Sequence, residues 1–122
     1  MKDCDWAYLW EKDQKELPLV ELPNDITMDD FTYYYFTFSD PAVRCMYPNR
    51  EVFGNWKQEF DGLALEGNKI FILKLHPQMI GRASRIGMVG EFIAYMQNHG
   101  AWITTCEDVA RYVQKQNGGN RA

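Results

Sequence analysis

The sequence predicts an α/β protein, namely a partial (β/α) barrel-like unit with three to four mostly parallel strands and three helices. Apolar runs of strand length alternate with amphipathic runs of helix length, in the order β-α-β-α-β-α. This alternation is typical of parallel strands joined by right-handed crossovers, in either an open sheet or part of a barrel. The 122 residues are enough for one small domain, residues 1–122.

The first half of the chain gives the weaker secondary-structure signals. Residues 1–16 mix aromatic and charged side chains without a clear period. Leu19–Leu22 is a short strand candidate enclosed by two prolines. Within residues 24–48 the acidic pair Asp29-Asp30 precedes the aromatic run FTYYYFTF. That run is compatible with a strand or with an aromatic-rich loop.

The first clear helix is predicted over residues 50–66, with Asn49 as its N-cap and Gly67 as its C-terminal stop. Apolar residues at steps of three and four form one stripe along it. The stripe consists of Phe53, Trp56, Phe60 and Leu63. Residues 69–76 follow and are almost continuously apolar, which is typical of a strand covered on both faces.

The last third of the chain predicts a helix, a strand and a second helix. The helix covers residues 84–98 and ends at Gly100, and the strand covers residues 101–105. The expected inner face of the helix contains Ile86, Val89, Ile93 and Met96. Thr105 begins the last helix in a capping-box pattern with Asp108. Its core-facing residues are Val109, Tyr112 and Val113, and the tail 118–122 is expected to fray.

Composition excludes several classes of protein. The net charge is −4 and the sequence shows no basic patch, so we expect no nucleic-acid partner. Three widely spaced cysteines, Cys4, Cys45 and Cys106, do not form a disulfide framework. No apolar run approaches the roughly 18 residues of a membrane span, and the first residues lack the apolar core of a signal peptide. We therefore expect a cytoplasmic protein with no membrane partner.

His76 is the strongest candidate for a catalytic residue. It stands at the C-terminal end of the strand predicted over 69–76, where parallel barrels collect their chemistry. An imidazole, with an unperturbed pKa of about 6.5, suits proton transfer near neutral pH. Leu73 and Leu75 could form an apolar wall beside it, and Pro77 should keep it extended. The alternative is a structural histidine that hydrogen-bonds to the loop backbone.

Two arginines follow His76 at the same end of the predicted sheet. Arg82 and Arg85 lie at the N-terminal end of the helix predicted over residues 84–98. There they could bind a carboxylate, a sugar hydroxyl or an acidic partner. Salt bridges that clamp the loop are the alternative. Gly81 is the lone glycine of this loop, which excludes a glycine-rich phosphate-binding loop.

The remaining polar and aromatic candidates have simpler explanations. Acidic loop residues are mostly just solvated. The candidates of this kind are Asp3, Asp5, Asp29 and Asp30. Aromatic side chains could stack on a sugar ring but more often belong to a core or an interface. These are Trp6, Tyr8, Tyr33, Tyr34 and Tyr35. His99 precedes a glycine at a helix end, where a cation suits the helix dipole. The histidines and cysteines show no metal-ligand spacing.

Residues 69–113 resemble the C-terminal end of the polysaccharide deacetylase family, above all its peptidoglycan-deacetylase and allantoinase-like members. The resemblance rests on Leu73-Lys74-Leu75-His76-Pro77, on Gly81-Arg82 with Arg85, and on Trp102–Ala110. Similarity also extends to Leu19–Pro23 and Asp29-Asp30-Phe31, and to Asp3–Tyr8, in which Ala7 replaces the usual proline.

The resemblance implies a hydrolase of C–N amide bonds, such as the acetamide of an N-acetylated sugar, on a distorted (β/α)7 barrel. In the family an aspartate and two histidines hold a divalent metal such as zinc, and a second aspartate is the base. His76 matches the histidine that protonates the leaving nitrogen. Leu73 and Leu75 match the acyl pocket, and Arg82 and Arg85 are the further candidates for binding a carbohydrate or small amide substrate.

The chain also departs from the family pattern. The aspartate-rich first motif and the histidine pair of the second motif are absent, so we expect no metal ligand and no cofactor in this chain. Hydrolysis by the chain alone is therefore not expected. A partial sheet leaves an open edge, which predicts a homo-oligomer or pairing with a missing N-terminal segment. The alternative is a non-catalytic oligomerisation or binding module derived from the same fold.

Overall fold

The computed structural model describes residues 7–40, 42 and 46–119 of an α/β fold. In chain order, the elements are β1 (Tyr8–Lys12), β2 (Lys15–Glu21), a 3-10 turn (Ile26–Met28), α1 (Asp30–Tyr34), α2 (Asn49–Glu66), α3 (Pro77–Ile80), α4 (Ala83–Asn98) and α5 (Cys106–Gly119). Within this part there are five α-helices rather than the three expected. None of its helices combines the length and apolar character needed to cross a membrane. Asp3, Cys4, Asp5, Trp6 and Cys45 lie outside the described residues.

Strands β1 and β2 form an antiparallel hairpin. Tyr8 pairs with Glu21 and Lys12 with Lys15. The two turn residues, Asp13 and Gln14, have positive φ angles of 53° and 62°, as a type I′ turn requires. β2 contains most of the strand predicted at residues 19–22. No strand was predicted at the position of β1. Most of β1 is exposed, so no alternation of apolar and polar residues marks it.

The expected parallel ladder is not present among the described residues. Segments 69–76 and 101–105 belong to no helix and no sheet, and the parallel pairing there is one bridge between Asp29 and Lys74. Lys74 N–H donates to Met28 O at 2.8 Å, and Asp30 N–H donates to Lys74 O at 3.1 Å. The apolar run at residues 69–76 is only partly buried: Phe71 packs against the helical core, but no residue of the run is fully buried. Burial does not by itself supply the neighbouring strand that a ladder needs.

Helix α2 supplies more of the buried core than any other element. Val52, Phe53, Trp56 and Phe60 are all buried, so the predicted stripe is confirmed apart from the half-buried Leu63. The Trp56 side chain is 0% exposed, and its Nε1–H donates to Thr27 O at 3.0 Å. Its ring meets those of Phe53 and Tyr33 edge-on, at centroid distances of 5.0 and 6.2 Å.

The inner face of α4 differs from the predicted one. Met96 is buried as expected, but Ile86 and Ile93 are exposed, while Phe92 is buried. The Phe92 ring lies 6.4 Å from those of Phe53 and Phe60 and 6.0 Å from that of Phe71. The Phe92 ring fills this space in place of Ile93, while Met96 and Val89 still face the core.

Helix ends were predicted with mixed success. Gly67 ends α2 with φ of 71°, and its N–H donates to Leu63 O. The predicted cap Asn49 is instead the first residue of α2, and its side-chain amide donates to Ser84 O at 3.0 Å. Thr105 does cap α5, since its Oγ1 accepts from Asp108 N–H at 3.2 Å.

Two further segments complete the comparison with the predicted elements. α5 runs to Gly119, and residues 120–122 of the expected frayed tail lie outside the described residues. Only the first part of the aromatic run after Asp29-Asp30 is helical: residues 31–34 belong to α1, which starts where the Asp29 side chain accepts from Phe31 N–H at 2.9 Å. Residues 35–38 form no helix or strand, as the loop alternative predicted.

Candidate functional site

His76 ends the extended segment and directly precedes α3. Its backbone is extended, with φ of −108° and ψ of 122°, as expected for a residue before proline. Pro77 begins α3, where its missing N–H costs no hydrogen bond. The carbonyl of His76 accepts from Met79 and Ile80 N–H, at 2.8 and 2.9 Å. These contacts fix the backbone from which the imidazole projects.

The bridge between residues 29 and 74 brings the acidic pair to His76. Asp30 is 0% exposed and uses both carboxylate oxygens on the one histidine. Its Oδ2 accepts from His76 N–H at 2.9 Å, and its Oδ1 lies 2.7 Å from His76 Nδ1. The two residues are 46 positions apart in the sequence. α1 and the segment before α3 thus build one histidine–carboxylate pair.

This geometry determines which ring nitrogen of His76 is available for chemistry. A carboxylate acceptor beside Nδ1 favours a proton on that nitrogen, and Nε2 takes no part in the contact with Asp30. In the neutral ring Nε2 can accept a proton, and in the imidazolium it can donate one. The side chain of His76 is partly exposed, so Nε2 belongs to a ring that a ligand can approach. The arrangement supports general acid or general base chemistry.

Asp29 has a different environment from Asp30. Its Oδ2 lies 3.0 Å from Lys74 Nζ, and its Oδ1 lies 3.5 Å from His76 Nδ1. Burial acts to raise the pKa of Asp29. The hydrogen bonds from Lys74 and Phe31 N–H, with the charges of Lys74 and His76, outweigh it and lower the pKa below the ordinary 3.8. Asp29 is therefore a carboxylate held in its charged form.

This lowered pKa predicts acid sensitivity of the fold. A carboxyl whose pKa is lower in the folded state stabilises it above the unfolded pKa, and this contribution is lost as pH falls through the folded pKa. We expect the urea midpoint to fall between pH 5 and about pH 3, and to fall less in Asp29→Asn. Urea titrations of both proteins at each pH measure this. Equal slopes for the two proteins would contradict the assignment to Asp29.

Asp29, Asp30 and His76 offer ligand atoms that all lie within 4.8 Å of one another. The donor set nevertheless does not fit a divalent metal. Both carboxylate oxygens of Asp30 are hydrogen-bonded to His76, and the Nζ atom of Lys74 lies 3.0 Å from Oδ2 of Asp29. A cation placed here would have to displace the ammonium and break the histidine–carboxylate pair. These residues form a hydrogen-bonded histidine–carboxylate pair with a salt bridge beside it.

Leu73 and Leu75 lie on the other side of the extended segment from His76. Both leucines are partly buried and pack against the helical core. Side chains alternate along an extended chain, which places Lys74 and His76 together on the side of Asp29 and Asp30. The structure therefore does not bring the two leucines together with the imidazole, and their role in an acyl pocket stays a prediction.

The two candidate arginines are in unlike places. Arg82 is exposed at the start of α4. Arg85 is buried, its Nη1 donates to Met79 O at 2.6 Å, and its guanidinium lies 3.8 Å from the centre of the Tyr34 ring. These contacts hold the loop after His76 against α1, as the loop-clamping alternative predicted. Substrate binding by either arginine stays a prediction.

Tyr34, beneath that guanidinium, is buried next to the site. Its hydroxyl has no hydrogen-bond partner within the described part of the chain. Burial raises the pKa of Tyr34, the positive charge of Arg85 opposes this, and the negative charge of Asp30 adds to it. Tyr34 is therefore a neutral phenol that packs the inner side of α1.

Sequence reasoning missed the partner of His76. It grouped Asp30 with solvated loop acids, because two adjacent aspartates before an aromatic run gave no sign of burial. Asp29 caps α1, but the burial of Asp30 follows from the long-range pairing of residues 29 and 74, which no local sequence pattern reports. Phe31 was also missed, and its ring centroid is 5.2 Å from that of His76.

The fold of this chain has a counterpart among solved structures. It matches part of the crystal structure of a protein from Mycobacterium smegmatis that is described as a candidate polysaccharide deacetylase, at 24% identity and a TM-score of 0.79. The match covers 93% of this chain, which spans only 39% of that protein. No protein-family model and no curated protein matched the sequence. The chain therefore has the fold of a portion of that larger structure, in agreement with the resemblance of residues 69–113.

Proposed function

We propose that this chain is the C-terminal part of a polysaccharide-deacetylase-like hydrolase of C–N amide bonds, and that His76 is its proton donor. The observation that carries the proposal is the buried Asp30 carboxylate, which holds His76 through the backbone N–H and Nδ1 at once. The likeness in fold to part of a candidate deacetylase supports it. An N-acetylated sugar or a related small amide would be the substrate.

His76 would act on the nitrogen that leaves when the amide bond breaks. Amide hydrolysis adds water to the carbonyl carbon, and the C–N bond then breaks as the nitrogen receives a proton. The imidazolium of His76 carries that proton on Nε2. Asp30 orients the ring through Nδ1 and balances its positive charge, as the aspartate does in a catalytic triad. Lys74 keeps the neighbouring Asp29 charge paired.

The remaining machinery of the reaction would come from outside this chain. A base and a zinc site are the groups that the family resemblance implies, and we propose that a preceding segment or another chain supplies them. Residues 70–73 and 102–103 belong to no helix or strand and have no backbone hydrogen-bond partner within the described residues. Strands of that missing part would pair with them and complete a parallel barrel. The chain alone would be inactive.

The ring-nitrogen assignment tests this proposal on the chain as it is. At about pH 9, where an ordinary imidazole is neutral, nitrogen-15 NMR should show His76 protonated on Nδ1. In Asp30→Asn the amide N–H₂ would donate to Nδ1 and move the proton to Nε2. His99 is the internal control, because its Nδ1 faces Tyr95 O at 2.8 Å and should not respond. A wild-type His76 protonated on Nε2 would overturn the role of Asp30.

A non-catalytic oligomerisation or binding module is the second candidate function. The exposed apolar side chains Trp102 and Ile103, on one of the unpaired segments, favour it. Light scattering on the purified chain separates the two candidates. A stable homo-oligomer would support the module, whereas a monomer would support a chain that is completed by a different segment.

A further inference from the structure

An aromatic side chain stands beside the proposed proton donor and has no assigned role. Phe31 directly follows Asp30 in α1, and its ring is tilted by 51° against the His76 ring at a centroid distance of 5.2 Å. The Phe31 side chain is 37% exposed and is not part of the buried core. A large apolar ring is thus accessible next to the one imidazole that Asp30 orients.

The position of the Phe31 ring is fixed before any ligand arrives. Tyr35, one helical turn later, stacks on it at 4.3 Å and 16°. The Phe31 N–H is held by the Asp29 side chain at 2.9 Å. Because the ring is already ordered, a ligand that packs against it loses little further side-chain entropy on binding. A rigid apolar surface beside a placed polar group is the usual make-up of a small-molecule site.

We propose that Phe31 is a substrate-contacting residue that packs against the apolar C–H face of a sugar ring whose acetamide is presented to His76. This inference rests on the proposed function and narrows its substrate to a ring-containing amide. The face of an aromatic ring is electron-rich and attracts the weakly positive C–H groups of a saturated ring. A small linear amide has no comparable face, so it would gain little from Phe31.

The test uses the 122-residue chain with tetra-N-acetylchitotetraose as the probe and protein-detected NMR as the readout. We expect the oligosaccharide to shift the signals of Phe31, Tyr35 and His76. Phe31→Ala should weaken binding by about threefold to tenfold, which is the usual range for one aromatic contact, and Phe31→Trp should retain it. Phe36→Ala is the matched control, because Phe36 is similarly exposed at 39% and pairs with Phe38.

Three outcomes would overturn the inference. They are equal binding by Phe31→Ala and the wild-type chain, equal weakening by Phe36→Ala, and no shift at Phe31 with the probe at millimolar concentration. N-methylacetamide, an amide without a ring, should bind equally to wild type and Phe31→Ala. The nitrogen-15 assignment of His76 is independent of these results. If it holds while the oligosaccharide fails, the proton-donor role stands and the sugar contact is wrong.

Discussion

Replacement of Trp56 by alanine is expected to lower the free energy of unfolding by about 3–5 kcal/mol. The Trp56 ring is wholly buried among Phe53 and Tyr33, and its Nε1–H closes a hydrogen bond to Thr27 O. Alanine would leave a cavity the size of an indole and an unpaired carbonyl. Since a chain of this length has roughly 6–18 kcal/mol of stability, the loss is a large share of the total.

Trp102→Ala is the matched control for Trp56→Ala. Trp102 is 61% exposed and makes an edge contact with Tyr112 at 5.7 Å. Its removal should change stability by less than about 1 kcal/mol. Urea unfolding followed by circular dichroism measures both variants, with the m-value as a check that the transition keeps the same character. Similar losses for the two tryptophans would show that the core is not centred on α2.

Replacement of Asp30 by alanine is expected to cost about 3 kcal/mol of stability, because it leaves two donors of His76 without their acceptor. The wholly buried carboxylate accepts from both the backbone N–H and the ring. Asp30→Asn should cost less, since an amide can accept from the backbone N–H while it donates to Nδ1. Any hydrolysis by the completed enzyme should fall in both variants, because neither keeps the carboxylate at Nδ1.

A double-mutant cycle between Asp30→Ala and His76→Ala isolates the ring contact. Urea midpoints of the two single variants and the double variant give the coupling between these side chains. We expect a coupling of about 1–3 kcal/mol, as for other neighbouring buried polar groups. Asp40→Ala, at an exposed aspartate far from His76 in the sequence, serves as the control and should leave stability almost unchanged. Additive effects of the two variants would contradict the pair.

Local elements of this fold could be predicted from the sequence, and the long-range ones could not. The stripe of α2, the extended backbone at His76 and the cap at Thr105 each follow from a few neighbouring residues. The inner face of α4 was predicted only in part, because the burial of Phe92 instead of Ile93 depends on which ring fills the space beside Phe53. A period of 3.6 indicates that a helix has an inner face. It does not say which of two adjacent apolar rows will be packed.

The difference between local and long-range contacts also explains which residues of the candidate site could be predicted. His76 stood out because a strand end before proline is a recognisable local pattern. Asp30 did not, because its burial depends on the pairing of residues 29 and 74, and no local pattern in either segment reports that pairing. An acidic residue in a short helix is usually solvated. Only the long-range contact distinguishes Asp30 from exposed acids such as Asp40.

The separation of 46 residues between Asp30 and His76 also has a consequence for folding. The intervening chain contains all of α2, so the contact closes a long loop whose entropy is lost before the hydrogen bonds form. The oriented imidazole is therefore a product of cooperative folding and not of any local segment. A partly folded chain can contain α2 and α4 and still lack the contact that orients the imidazole of His76.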